Sequence, residues 1–154
     1  MAKYIAQISW QRPQNDIFID QKYSRVHTWA FDGGIQVMAS ASPTIVPLPY
    51  SNAEHIDPEE AFVASLSSCH MLFFLHFAAK AGLVVNRYVD SAEGLMKHNA
   101  QGKLAITDII LKPKVEWQDG ATVAATTLHA LHHQAHEACF LANSVLTEIE
   151  VQPQ

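Results

Sequence analysis

Between Pro58 and Ala81 the chain reads PEEAFVASLSSCHMLFFLHFAAKA, and apolar side chains fall on nearly every face of the helix that this pattern implies. Such a helix is expected to be buried on most sides. Its ends are well marked. Asp57 suits the N-cap, Pro58 the first helical position, and Glu59 and Glu60 the positive end of the helix dipole. Gly82 suits the C-terminal stop. Residues 58–81 would span roughly 36 Å. A chain of 154 residues can hardly surround such a helix unaided, so a dimer is expected.

Elsewhere the pattern changes period. Residues 3–10, KYIAQISW, alternate and predict a strand. Residues 16–20, DIFID, are a candidate for another. RVHTWAF (25–31) and IQVMAS (35–40) flank Asp32–Gly34 and predict a hairpin. A proline-rich loop over 42–56 follows, stiffened by Pro43, Pro47 and Pro49. It is longer than most connections in a compact domain, which marks a functional or disordered segment. Its apolar members Ile45, Val46, Leu48 and Tyr50 predict that it is packed. Residues 84–98 and 103–117 read as two strands around the turn Asn99–Gly102. A second helix is expected over about 121–140. SVLTEIEVQ closes the chain as a strand with Val145, Thr147, Ile149 and Val151 on one face. The order strands, helix, strands, helix, strand predicts one α+β domain over residues 1–154 with a mostly antiparallel sheet. No glycine-rich loop opens a helix, so a dinucleotide-binding fold is not expected.

Charge narrows the function. The formal net charge is −5 and the pI about 5.9, against the basic surface that nucleic-acid binding needs. Only 16% of residues are charged, which suits a surface partly covered by a partner. The N-terminus lacks an apolar signal region, so a cytoplasmic protein is expected. Residues 61–79 have about the length of a membrane span, but Ser65, Ser67, Ser68, His70 and His76 favour a buried soluble helix, and no membrane partner is expected.

Candidate chemistry centres on two cysteines, Cys69 and Cys139, 70 residues apart. They read either as unrelated buried thiols or as a redox pair. A thiol on an apolar helix becomes a reagent only beside a cationic or hydrogen-bonding group. Arg12, Arg25 and Arg87 are the arginines, and Arg25 opens a strand expected to pack on the core. Glu59 is either a first-turn carboxylate or the partner that holds an arginine in place. It lies ten residues before Cys69, roughly 15 Å along one helix. Two antiparallel copies of the helix would bring Glu59 of one chain towards Cys69 of the other. His70 is set about 100° around the helix from Cys69 and is not expected to be its base. On the second helix His129, His132 or His133, and His136 share a face, and His132 with His136 has zinc-chelating spacing. There is no HExxH or CxxC pattern to support a metal site.

DPEEAFVASLSSCHM, with a glutamate ten residues before the first cysteine, AHEACFLANSV around the second, and RVHTWAFDGG before a proline-rich loop together resemble the OsmC/Ohr family, the osmotically inducible protein C and organic hydroperoxide resistance proteins. The resemblance covers essentially the whole chain. It implies an intertwined α+β homodimer, with the sheet wrapped on long central helices and two active sites at the subunit interface. It also implies a thiol peroxidase that reduces organic hydroperoxides better than hydrogen peroxide, without metal, flavin or haem. On this resemblance Cys69 is the peroxidatic cysteine, Cys139 the resolving one, Arg25 the stabiliser of the thiolate and Glu59 the carboxylate that orients Arg25. Regeneration would come from a lipoyl group or a small thiol. An apolar slot suits an alkyl substrate, and Ile45, Val46, Leu48, Tyr50 and Phe73 are its candidate lining. The chain departs from the organic hydroperoxide branch at Phe140, where a proline usually follows the second cysteine, and at Val26–His27 after Arg25. Those departures bring it nearer the broader OsmC-like group. The rival expectation is a small-molecule-binding, stress-protective dimer with inert thiols.

Overall fold

The computed structural model describes all residues, Met1–Gln154, and divides into two compact units, Met1–Ala61 and Phe62–Gln154. The first unit holds β1 (Ala6–Ser9), β2 (His27–Phe31) and β3 (Gln36–Ala39), paired antiparallel in that order. The hairpin around Asp32–Gly34 is present, with Gly34 at φ 87°, where a residue bearing a Cβ would be strained. DIFID is not a strand. Turns run through this segment, held by Asp16 Oδ2 accepting the Ser24 amide at 3.1 Å and by Phe18 stacked on Tyr23 at 4.5 Å. Short polar side chains that bond nearby backbone compete with the ladder a strand needs. The proline-rich loop is tied down by hydrogen bonds, but not by packing of all its apolar members, since Ile45 and Leu48 are exposed. The Ser42 carbonyl accepts the amides of Ile45 and Val46, Ser40 Oγ accepts the Asn52 amide at 2.9 Å, and Ile56 bridges Ala39.

The long helix α1 (Pro58–Lys80) starts and stops as its sequence predicts. Asp57 Oδ1 accepts the Glu60 amide at 2.7 Å, and Glu60 Oε2 accepts the Asp57 amide at 3.2 Å, a reciprocal capping box. Gly82, at φ 74°, ends it, with the Leu83 amide reaching back to the Ala78 carbonyl.

In the second unit the two predicted long strands are each broken in two. β4 (Val85–Asp90) pairs with β7 (Pro113–Trp117), and β5 (Glu93–His98) pairs with β6 (Leu104–Leu111), all antiparallel. Asp90 supplies a physical reason for the break. Its carboxylate accepts the Lys112 amide at 2.6 Å and the Ser67 hydroxyl of α1 at 2.5 Å, replacing the ladder at that point. The second helix, α2 (Ala125–Ala138), is shorter at both ends than its pattern suggests, and left-handed backbone at Asp119 and Gly120 precedes it. The closing strand β8 (Glu148–Val151) pairs parallel with β6, an exception in an otherwise antiparallel fold.

Within this unit α1 serves two cores. Leu66 packs with Ile109 and Leu111, backed by Ile149 and Val151, on the β5–β6–β8 sheet. Phe74 and Ala78 pack with Leu131 and Ala135 of α2, backed by Tyr88, Val115 and Trp117 of β4 and β7. The fully buried positions of α1 are Leu66, His70, Phe74 and Ala78, one stripe at four-residue spacing. By length and composition α1 is also apolar enough to cross a membrane, yet it packs as a core helix against both sheets of this unit. Burial on most sides is not reached within one chain: Leu72, opposite the stripe, is 61% exposed.

Candidate functional site

Cys69 sits mid-way along α1. Helical spacing places Leu72, Phe73 and His76 on the same face, three, four and seven residues on. This face lines a pocket of about 630 Å³. Cys69, Leu72, Phe73, Phe140 and Leu141 form its thiol and apolar wall, and Ser65, Ser68 and His76 are its polar members. The Phe73 and Phe140 rings meet edge to face, centroids 5.0 Å apart. Phe140 is 70% exposed, so the apolar wall is open to solvent.

Cys139 follows the last residue of α2 and closes that helix as its C-cap. It is 1% exposed and does not line the pocket. Cys69 neighbours it closely enough to influence its thiol, and both cysteines are free. The backbone turns over Phe140 and Leu141 into a short 3-10 segment, Ala142–Ser144, and the Ala142 amide donates to Cys139 Sγ at 3.4 Å. Burial pushes the Cys139 thiol pKa up and the neighbouring Cys69 adds to this, while amides of Ala142 and Leu141 act in the opposite direction. Two neighbouring thiols can approach disulfide geometry by local movement of the chain.

One residue further on, His70 faces the other way. His70 Nε2 meets His132 Nδ1 at 3.0 Å, with the rings parallel and 5.3 Å apart. Exposures are 2% and 3%. Their outer nitrogens, His70 Nδ1 and His132 Nε2, are buried without partners. Whichever ring donates to the other, one outer nitrogen is an unpaired N–H and the other an unpaired lone pair. Desolvation by burial lowers both pKa values to about 4; His136 adds to this for His70, and His70 and His129 for His132. Asp90 acts weakly against it at His70. His70 is therefore spent on α2 and is no base for Cys69, as the helix geometry predicted. His132 is committed to this pair, and no three His, Cys, Asp or Glu side chains gather into a metal-binding group.

The other candidate residues lie in residues 1–61. Arg25 is half-buried. Its guanidinium donates to the Gln21 carbonyl at 2.7 Å and to the Tyr23 carbonyl, and lies 3.7 Å from the centroid of the Tyr23 ring. Glu59 has a buried Oε2 without a hydrogen-bond partner, and the two residues form no salt bridge within the chain. Of the five expected slot residues, Phe73 lines the pocket beside Cys69. Ile45, Val46, Leu48 and Tyr50 belong to the loop of the first unit, where Ile45 and Leu48 are exposed.

Sequence reasoning missed Leu72, Phe140 and Leu141 as pocket residues. Leu72 could have been found as the position three after Cys69, and Phe140–Leu141 as the residues that turn the chain back after Cys139. The histidine pair was also missed; its signal was His70 falling in the four-residue stripe of buried positions.

Comparison with known proteins bears on this arrangement. The family model for OsmC-like proteins matches residues 51–154, which include both cysteines and Glu59. An OsmC-like protein of unknown function from Vibrio cholerae is 46% identical, with a TM-score of 0.97 over 100% of both chains. An OsmC-like protein from Mycoplasma pneumoniae superimposes with a TM-score of 0.74 at 15% identity, covering 99% of this chain and 96% of its own. An organic hydroperoxide resistance protein from Elizabethkingia anophelis gives 0.71 at 15% identity, covering 99% and 94%. At such identities these last two establish shared fold alone. No curated protein matches. With a family model spanning most of the chain and a solved relative alike along its whole length, this protein belongs to the OsmC-like family.

Proposed function

We propose that this protein is a cysteine-based peroxidase that reduces organic hydroperoxides to alcohols. The observation that carries the reading is a pair of neighbouring free thiols, one of them on the wall of an apolar pocket. The Cys69 thiolate attacks the terminal peroxide oxygen. The O–O bond breaks, the alkoxide leaves with a proton as alcohol, and Cys69 becomes a sulfenic acid. Cys139 then attacks the sulfenic sulfur, water departs, and the disulfide closes. An external dithiol, a lipoyl group or a small thiol, restores both cysteines. This chemistry draws on no metal or organic cofactor.

Arg25 and Glu59 complete the proposed site, the guanidinium stabilising the thiolate and the carboxylate orienting the guanidinium. The unpartnered Glu59 oxygen supports an acceptor role not met within one chain. Its distance from Cys69 along α1 supports a homodimer in which the 154 residues act as one domain. The setting of such a dithiol cycle is the reducing cytoplasm. Leu72, Phe73, Phe140 and Leu141 offer the alkyl group an apolar surface, and Ile45, Val46, Leu48 and Tyr50 remain proposed slot residues.

The test is to add one equivalent of cumene hydroperoxide to reduced protein, count free thiols, and map disulfides by non-reducing mass spectrometry. Rapid loss of two thiols with a Cys69–Cys139 link is expected. Thiols that stay reduced, while the pocket still binds small apolar molecules, would favour the binding-protein reading instead.

A further inference from the structure

We propose that the cycle is regenerated through one sulfur only: the incoming thiol attacks Cys69 of the disulfide, and Cys139 is always the group that leaves. This inference rests on the peroxidase reading for its disulfide, and deepens it by fixing where the reductant enters. Thiol–disulfide exchange is an in-line displacement, so the attacking sulfur needs open space at the sulfur it strikes. The two sulfurs differ sharply in this respect. Cys69 is half-buried and lines the pocket of about 630 Å³. Cys139 is 1% exposed and absent from the pocket lining.

Burial makes charge on Cys139 costly as it leaves, and one contact works against that cost. The Ala142 amide donates to its sulfur at 3.4 Å. This donor offsets part of the penalty while the S–S bond breaks. The step balances as R–SH plus the Cys69–Cys139 disulfide giving a Cys69–S–S–R mixed disulfide and a Cys139 thiol. The proton lost by the incoming thiol ends on Cys139. Once protonated, Cys139 is held as the thiol by its burial, which slows its return attack on the mixed disulfide. The second thiol of a dithiol then attacks the reductant's own sulfur in the mixed disulfide, so that Cys69 leaves as a thiol and the reductant departs as a cyclic disulfide. A dithiol thus completes the reduction in one visit, whereas a monothiol needs a second molecule to release Cys69.

The experiment forms the disulfide with diamide, so it does not depend on peroxide reactivity. Folded, oxidised protein is treated briefly with N-acetylcysteine and quenched in acid. The remaining thiols are then labelled in denaturant and the adduct is mapped by peptide mass spectrometry. The same exchange in urea-unfolded protein gives the reference ratio between the two sites. The expected result is an adduct on Cys69 at least tenfold in excess over Cys139 in the folded protein, falling towards equality when unfolded. An adduct mainly on Cys139, or a folded ratio no different from the unfolded one, would overturn the inference. So would failure of diamide to link the two cysteines. A disulfide that forms with diamide and opens at Cys69, but does not form with organic peroxide, would sink the peroxidase reading and leave this one standing.

Discussion

Cys69 and His70 are neighbours in sequence and belong to opposite regions of α1. The face of Cys69 is open, with a pocket, exposed Leu72 and exposed Phe140. The face of His70 is closed, with Leu66, Phe74 and Ala78 in one buried stripe and His132 locked to it from α2. A turn of about 100° between adjacent residues separates them. The difference teaches how one helix can hold a core together and present a reagent: structural demands fall on one stripe, and the other faces are left for chemistry.

The largest effect expected from breaking this contrast is on the open face. Cys69→Ser should lower peroxide reduction by ~10³-fold or more, while the unfolding free energy changes by no more than about 0.5 kcal/mol, as expected away from a packed core. Steady-state assays and urea titration on the same preparation check both halves. The closed face should respond in reverse. Phe74 is fully buried and stacks on His132 with ring centroids 4.3 Å apart. Phe74→Ala is expected to cost about 3–5 kcal/mol in stability, read by urea denaturation.

Acid should find the same closed face. Folded pKa values of about 4 lie below the ordinary value of 6.5, so the unfolded chain binds more protons between those pH values. Stability from the pair is therefore complete above about pH 6.5 and is lost as pH falls towards 4. The loss is on the order of 3 kcal/mol for one such shift, and the two rings are not independent. His70 and His132 face His136, His129 and Asp90, so the slope belongs to the cluster. Urea midpoints from pH 7.5 to 4.5 would show it, and replacing both histidines by glutamine should flatten the curve. The smallest effect returns to the open face. Phe140→Ala removes an exposed ring from the pocket wall, and should reduce the preference for cumene hydroperoxide over hydrogen peroxide by about tenfold or less, with little change in stability. Competition assays against both peroxides would measure it.

What the sequence disclosed follows the range of the forces involved. The limits of α1 were legible because Asp57, Glu60 and Gly82 act on backbone within a turn of themselves. The division of the long hairpin was not, because Asp90 reaches Lys112 across 22 residues and Ser67 across 23. DIFID has the alternation of a strand, but Asp16 bonds Ser24 and Phe18 stacks on Tyr23, contacts that no local pattern announces. At the site, both cysteines stood out, and the fold makes them neighbours. The pocket wall did not stand out, because Phe140 and Leu141 gain their place from the turn after α2 rather than from any motif.

The most direct measurement of the central claim is the rate of Cys69 oxidation in reduced wild-type protein, followed by stopped flow with cumene hydroperoxide and with hydrogen peroxide. The account predicts a rate constant at least tenfold larger for the organic peroxide, with the signal lost in Cys69→Ser. Equal rates would contradict the role given to the apolar pocket, and no reaction with either peroxide would contradict the peroxidase reading itself.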